Sequence, residues 1–586
     1  MKKSFSLSNQ TIKTNIQKLK KIMAEKNLDA MYISSFDPFL NEYVPLQDNH
    51  RFYFTAFTGS MAEVLALANG KIRLYVDGRY FEQADLEVDH DEIDVVKSVD
   101  STTGDLVKDI TTFNIKRLGY EADRTSLGFL KRLSGAAQET VAIPGGELAK
   151  TIEFEKLSDL KEVTLVNREF RGRDTLEKTR MIFKDESEAM YLTALDTIAW
   201  ITNCRGYHLP FLSSFYGRAL VTKEKVFVFV TPETPVSALA KKEFGLEFIS
   251  LPLTDLPREL ERIQNTLHLK TVWFDPNMSN AADFSMLVKI FGNERLLEKA
   301  GGLYEWQSIK EPVEIQQFEA SFKRSDKAIY NTIKWVKDSL KEGKRITELD
   351  LYHETSKRYQ AEGAKDQSFN TIAGVGPNGS IIHYGSPSDE VIIKKDDLIL
   401  LDSGGYFDGG FATDCTRAFF GGTVADKPDP KKVEIYTLVL KGLLACANAV
   451  FPEGTKGIVL DGLARAPMRK KGYDYAHGTG HGVGIHVHEP GVRISSISNV
   501  PMKAGQVVSV EPGIYLPGFG GVRLENIYRV EKHPVHKNML HFVGFVFIGF
   551  DPALVDMKLL NDEEKVQLEE YEAECLRRGT SLRAIK

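Results

Sequence analysis

The chain has 586 residues, of which 42% are hydrophobic and 27% charged, with a formal net charge of -6. That length exceeds what one hydrophobic core holds, so several domains are expected of an otherwise ordinary globular composition. There is no basic surplus for non-specific nucleic-acid binding, and the longest near-continuous apolar run, around Phe542 to Phe550, is too short to span a bilayer.

In chain order, the basic start Met1-Lys2-Lys3-Ser4 has no apolar stretch behind it and does not read as a secretory signal. Ile12, Ile16, Leu19 and Met23 then recur at helical spacing, with Lys18, Lys20 and Lys21 on a solvated face. Ala30-Met31-Tyr32-Ile33 and Ile72-Arg73-Leu74-Tyr75-Val76 read as strands, which suggests an α/β domain over residues 1–165. A second α/β stretch, residues 166–311, has strands at Ala219-Leu220-Val221, Val226-Phe227-Val228-Phe229-Val230 and Thr271-Val272-Trp273-Phe274. The two stretches are candidates for copies of one fold. Pro312 suits a first helical turn, and Ile315, Phe318, Phe322, Ile329, Ile333, Val336 and Leu340 line one face of a long helix that opens a third domain, 312–586. Cys204, Cys415, Cys446 and Cys575 stand at neither metal-ligand nor redox spacing, so they read as reduced thiols in a cytoplasmic protein.

The third domain holds the chemistry. Leu398-Ile399-Leu400-Leu401-Asp402 reads as a buried strand ending in a carboxylate, and Phe411 to Arg417 as the strand returning from a glycine-rich turn. Such a hairpin brings Asp402 and Asp414 to one face, where two carboxylates repel unless a proton or cation lies between them. His477 to Glu489 packs four histidines, at 477, 481, 486 and 488, among glycines at 478, 480, 482 and 484. Those glycines disfavour a helix, so this segment is extended or looped and admits close backbone approach. Val507-Val508-Ser509-Val510-Glu511 repeats the apolar strand ending in a carboxylate, and Arg523 and Glu525 fall on the same strand face two residues apart. Four carboxylates and an imidazole form a hard, oxygen-rich donor set that suits Mn²⁺ or a similar ion, and their charge is better balanced by two ions than by one. Gly374-Val375-Gly376-Pro377-Asn378-Gly379 satisfies a dinucleotide-binding pattern, but the residues after it, Ser380 to Tyr384, read as a strand where that motif needs a helix.

These motifs resemble the pita-bread metallopeptidases, which include methionine aminopeptidase, prolidase and aminopeptidase P. The matching set is Asp402, Asp414, His481, Glu511 and Glu525, within Asp-Ser-Gly-Gly, Thr-Asp-Cys-Thr-Arg, His-Gly-Thr-Gly-His-Gly, Val-Glu-Pro-Gly-Ile-Tyr and Val-Arg-Leu-Glu-Asn. Asn41-Glu42-Tyr43-Val44-Pro45, Asp77-Gly78-Arg79-Tyr80-Phe81 and Phe369-Asn370-Thr371-Ile372-Ala373-Gly374 are similar to the long, three-domain Xaa-Pro aminopeptidases. The fold class the resemblance implies is α/β and α+β: two creatinase-like N-terminal α/β domains and a C-terminal pita-bread catalytic domain. It implies two divalent ions on the five matching residues, Mn²⁺ foremost with Zn²⁺ or Co²⁺ as alternatives, and a hydroxide between them that attacks the bond before proline. His383, His488 and Glu511 are then the catalytic residues, with His383, His477, His488 and Arg523 at the substrate and Arg523 clamping ligands. The partners implied are peptides with proline at the second position and a second copy in a homodimer, with neither nucleic acid nor membrane. The alternatives are an Xaa-Pro dipeptidase (prolidase), or a pita-bread fold kept only for binding; the intact ligand set speaks against the latter and against a metal-free creatinase-type hydrolase. Asp402 and Asp414 stand one residue further apart than the family's usual spacing, the extra residue falling between Tyr406 and Phe411.

Overall fold

The computed structural model describes residues 7–149 and 160–585, so the Met1–Ser4 start lies outside the described residues. Two compact units emerge. One comprises Met1–Val166, Arg173–Pro210 and Ser214–Leu303; the other comprises Asn167–Gly172, Phe211–Ser213 and Tyr304–Lys586.

The first unit contains the same sheet twice. Strands Ala30–Ile33, Glu63–Leu67, Ile72–Val76, Ile93–Lys97, Arg117–Glu121 and Glu139–Ile143 lie in the spatial order fourth, third, second, first, fifth, sixth. Strands Glu188–Leu192, Arg218–Thr222, Val226–Val230, Leu246–Ser250, Thr271–Phe274 and Leu296–Glu298 take the identical order. The sense of every pairing also repeats: first with second and second with third are antiparallel, and the other three are parallel. The two halves are therefore copies of one topology. Amphipathic helices cover the sheets; Asn9–Glu25, capped by the Ser8 hydroxyl on the Thr11 N–H, buries Ile12, Ile16, Leu19 and Met23. All five residues of Val226–Val230 are buried, as expected of a strand covered on both faces.

The second unit opens with the helix Pro312–Lys341. Pro312 occupies its first turn, and Glu311 and Glu314 form a reciprocal cap. Ile372–Val375, Leu398–Ser403 and Cys415–Phe420 form a three-stranded antiparallel sheet. A six-stranded sheet runs Phe451–Pro452, Met539–Gly544, Asn526–Lys532, Val507–Val510, Gly480–Gly482, Glu489–Ile494. Helices Pro430–Ala447 and Gly457–Arg469 bury Leu438, Val439, Leu443, Leu460 and Met468 in one core with Val508, Val510, Val522 and Leu524 from the strands that lead to the site. No disulfide forms, and no helix among the described residues is long and apolar enough to cross a membrane.

Two local expectations are corrected. Ile381 to Tyr384 is not a strand: a 3-10 helix, Gly376–Ser380, leads into a turn in which the Tyr384 N–H meets the Ile381 carbonyl at 3.1 Å. Gly376 adopts a φ of 55°, and the backbone turns there instead of extending. The returning strand also starts later than its hydrophobicity suggests, at Cys415, so Asp402 lies opposite Thr416 and Asp414 stands just before the ladder.

Candidate metal centre

Asp402 is the second-last residue of Leu398–Ser403, in a ladder that runs unbroken from Leu398 opposite Phe420 to Ser403 opposite Cys415. The longer connection is taken up outside that ladder, in a turn at Asp408–Gly410 where Gly409 and Gly410 have φ of 80° and 70°. Asp414 therefore keeps its place beside Asp402. His481 is central in Gly480–Gly482, and a Cβ on Gly480 would stand 1.9 Å from the Ser509 carbonyl oxygen. Only glycine lets this strand lie so close to Val507–Val510, whose next residue toward the site is Glu511. Glu525 follows Gly520–Arg523 by two residues, and its N–H donates to the Thr416 carbonyl at 3.1 Å.

These side chains converge. Single ligand atoms of Asp414, His481 and Glu525 all lie within 4.8 Å of one another. His481 Nε2 is 3.5 Å from Asp414 Oδ2 and 3.2 Å from Glu511 Oε1. Its Nδ1 lies 3.0 Å from the Gly482 carbonyl, which can only accept, so Nδ1 carries a proton and Nε2 faces the carboxylates. Arg523 Nη2 donates to Asp402 Oδ2 at 2.6 Å, and Arg523 Nε donates to the Thr416 hydroxyl at 2.9 Å. That hydroxyl donates in turn to Glu525 Oε2 at 2.9 Å. The Ser509 hydroxyl, 3.1 Å from Glu511 Oε1, also accepts the His481 N–H at 2.9 Å. At the centre, two buried oxygens have no hydrogen-bond partner among the described residues: Asp402 Oδ1 and Glu525 Oε1. Buried carboxylate oxygens left unsatisfied are costly, and a divalent cation satisfies them. The donor set thus fits hard divalent ions.

The electrostatics agree. Burial pushes the Asp414 carboxyl well above its ordinary range, helped by Glu525, Asp402 and Glu511. Burial does the same to Glu525, with Glu511 and Asp402 adding to it. Burial disfavours a charged His481, but the hydrogen bond and charge of Glu511 outweigh it and hold the ring up at about 9. The same bond holds the Glu511 carboxyl below its ordinary range against the opposing effect of burial. Without a cation the cluster therefore retains protons near neutrality that a metal must displace. Mn²⁺ affinity of chelator-stripped protein is expected to rise with pH between about 6 and 8.5, roughly tenfold per unit for each proton displaced. Calorimetry in buffers of different ionisation enthalpy measures the protons released. A binding heat independent of buffer would contradict the protonated cluster.

The other expected residues surround this centre. The Ile382 carbonyl accepts from Arg523 Nη1 at 3.3 Å, which ties the turn bearing His383 to the Asp402 clamp. The His488 ring stands 4.4 Å from the His481 ring, centroid to centroid, at an interplanar angle of 75°, and the main-chain N–H of His488 donates to His486 Nδ1 at 3.1 Å. His477 is engaged through both ring nitrogens: Nδ1 donates to the Gly478 carbonyl at 2.7 Å, and Nε2 accepts the Tyr515 hydroxyl at 2.8 Å. Desolvation lowers its pKa to about 4, so the ring is neutral at pH 7. Arg523 is buried and its nearest carboxylate is Asp402, not Glu525. Three residues with roles in this geometry were not singled out from the sequence as site residues: Thr416, Ser509 and Tyr515, whose hydroxyl also accepts from Arg523 Nη1 at 2.9 Å. Tyr515 had a signal, its place four residues after Glu511.

Repeated α/β domains ahead of a domain with an oxygen-rich centre at its strand ends define the class, a pita-bread metallopeptidase. The model of metallopeptidase family M24 matches residues 316–532, and two models of the creatinase/prolidase N-terminal domain match 15–152 and 156–314. A probable Xaa-Pro aminopeptidase P of Laccaria bicolor is 32% identical over 95% of this chain and 89% of its own length. One of Coprinopsis cinerea is 30% identical over 98% and 96%. The chain belongs to the Xaa-Pro aminopeptidase P family. Among solved structures, the X-prolyl aminopeptidase of Caenorhabditis elegans, described as a cytosolic enzyme with a di-nuclear active site, superposes with a TM-score of 0.88 at 25% identity, covering 97% of this chain and 96% of that one. An Xaa-Pro dipeptidase of Bacillus anthracis shares the fold over 63% of this chain and 96% of its own, with a TM-score of 0.51 at 24% identity.

Proposed function

We propose that this chain is a metal-dependent aminopeptidase that hydrolyses the bond between an N-terminal residue and a following proline. The observation that carries the reading is the convergence of Asp414, His481 and Glu525 beside two buried, unsatisfied oxygens on Asp402 and Glu525. The choice of aminopeptidase over dipeptidase rests on the near full-length likeness to aminopeptidases P. Asp402, Asp414, His481, Glu511 and Glu525 hold two divalent ions, with Mn²⁺ favoured by the hard donor set and Zn²⁺ or Co²⁺ as substitutes. When bound, such a pair polarises the scissile carbonyl and acidifies a water. Glu511 takes the proton of the attacking water and returns it to the departing proline nitrogen. His383 and His488 donate hydrogen bonds to the carbonyl oxygen as it gains charge. Arg523 fixes Asp402, and His477 supports Arg523 through the Tyr515 hydroxyl. A cytoplasmic location follows the description of the C. elegans enzyme, and a homodimer follows the family resemblance.

The test is a paired digest. Protein stripped by chelator and reloaded with Mn²⁺ is offered an Xaa-Pro-Yaa tripeptide beside an Xaa-Pro dipeptide. Metal-dependent release of the first residue from the tripeptide, with little from the dipeptide, is the expected result. Cleavage of the dipeptide alone makes the chain a prolidase, and no cleavage with any divalent ion leaves only a binding role.

A further inference from the structure

Arg417 lies three residues past Asp414 and is fully buried, yet it forms no ion pair among the described residues. A buried guanidinium without a counter-ion is tolerated only if its N–H groups all find acceptors. Here they do, and the acceptors come from two places. Toward the centre, Nη1 donates to the Glu525 carbonyl at 2.5 Å and the Thr416 carbonyl at 2.9 Å, and Nη2 donates to Asn526 Oδ1 at 2.6 Å. Away from it, Nη2 donates to the Ile548 carbonyl at 3.0 Å and the Tyr571 hydroxyl at 2.9 Å, and Nε reaches the Ile548 carbonyl at 3.2 Å.

Tyr571 belongs to the C-terminal helix Asp562–Arg578, beyond the 316–532 span matched by the M24 model. Its hydroxyl accepts from Arg417 and from the Ile548 N–H at 3.2 Å, and its ring stacks on Phe547 and Phe550 at centroid distances of 5.6 and 5.0 Å. Glu525 is thereby held through both of its main-chain polar groups: its carbonyl accepts from Arg417 and its N–H donates to the Thr416 carbonyl. The Thr416 hydroxyl donates to Oε2, while Oε1 is buried with no hydrogen-bond partner among the described residues.

We infer that the C-terminal helix is part of the support of the metal centre, with Tyr571 and Arg417 as positioning residues that fix Glu525 through its backbone. The inference rests on the reading that Glu525 holds metal. Removing Arg417 would mix two opposed effects, loss of positioning and loss of a positive charge near a cation site. Tyr571→Phe separates them, because it keeps the charge and the stacked ring and deletes one hydroxyl.

The experiment titrates Mn²⁺ into chelator-stripped wild type, Tyr571→Phe and Phe547→Leu, with the melting temperature of each metal-free protein recorded alongside. Phe547→Leu loosens the packing of the same ring without touching the bond to Arg417. Tyr571→Phe is expected to bind Mn²⁺ about 10–100-fold more weakly, the usual consequence of losing a group that orients a ligand. Its kcat should fall at limiting Mn²⁺, with KM for the tripeptide unchanged, and recover in excess Mn²⁺. Phe547→Leu should melt lower yet keep wild-type Mn²⁺ affinity. Wild-type affinity in Tyr571→Phe, or equal weakening in both variants, overturns the inference while leaving the proposed function standing. A wild-type chain that takes up none of Mn²⁺, Zn²⁺ and Co²⁺ overturns both.

Discussion

Asp402→Asn and Glu525→Gln are each expected to lose bound metal and to lower kcat/KM by more than about 10³-fold, since the metal that would acidify the attacking water is then lost. The amide variants are chosen over alanine for a reason visible at the site. Asp402 Oδ2 is the carboxylate partner of Arg523, which is buried at 2% exposure. Removing one partner of a buried pair costs about 3–5 kcal/mol, so Asp402→Ala confounds metal loss with instability. Asparagine still offers Arg523 a carbonyl oxygen, and glutamine at 525 still offers one to Thr416. Elemental analysis after dialysis reports the metal, and tripeptide hydrolysis reports the rate. A metal-free but fully active Asp402→Asn would remove Asp402 from the centre.

His488→Ala is expected to do the reverse: keep its metal and lose turnover by about 10²–10³-fold, the typical effect of deleting one donor to a developing oxyanion. The His488 ring stands edge-on to His481, and its main chain is fixed by the bond to His486 Nδ1. Its side chain can therefore be removed without disturbing His481, whose own orientation comes from Gly482 and Ser509. KM should change little. If metal content fell along with kcat, His488 would belong with the ligands.

Much of this centre is legible in the sequence because strand ends announce themselves locally. Apolar runs closing on a carboxylate mark Asp402 and Glu511, and a glycine at every second position marks a segment whose backbone is pressed against a neighbour. The Pro312 helix and the paired α/β halves are legible for the same reason: periodicity is a property of adjacent residues. The turn at Ile381 to Tyr384 was not, since its apolar residues suit a strand and only the positive φ at Gly376 turns the chain.

Pairing is another matter. The sequence determined most of the strands and the long helix, and its motifs, through the family resemblance, named the five side chains of the centre. It placed Arg523 beside Glu525 by spacing alone, whereas the tertiary structure sets Arg523 on Asp402, 121 positions away. Tertiary structure also decided that Thr416 lies opposite Asp402, that Tyr515 joins His477 to Arg523, and that Tyr571 on the last helix reaches Arg417 behind Glu525. The physical reason is one of range. Hydrophobic patterning acts over a few residues and fixes which face of an element is buried. The partner of a buried charge is fixed by strand register and by the need to satisfy every donor, and both are settled only when distant segments pack together.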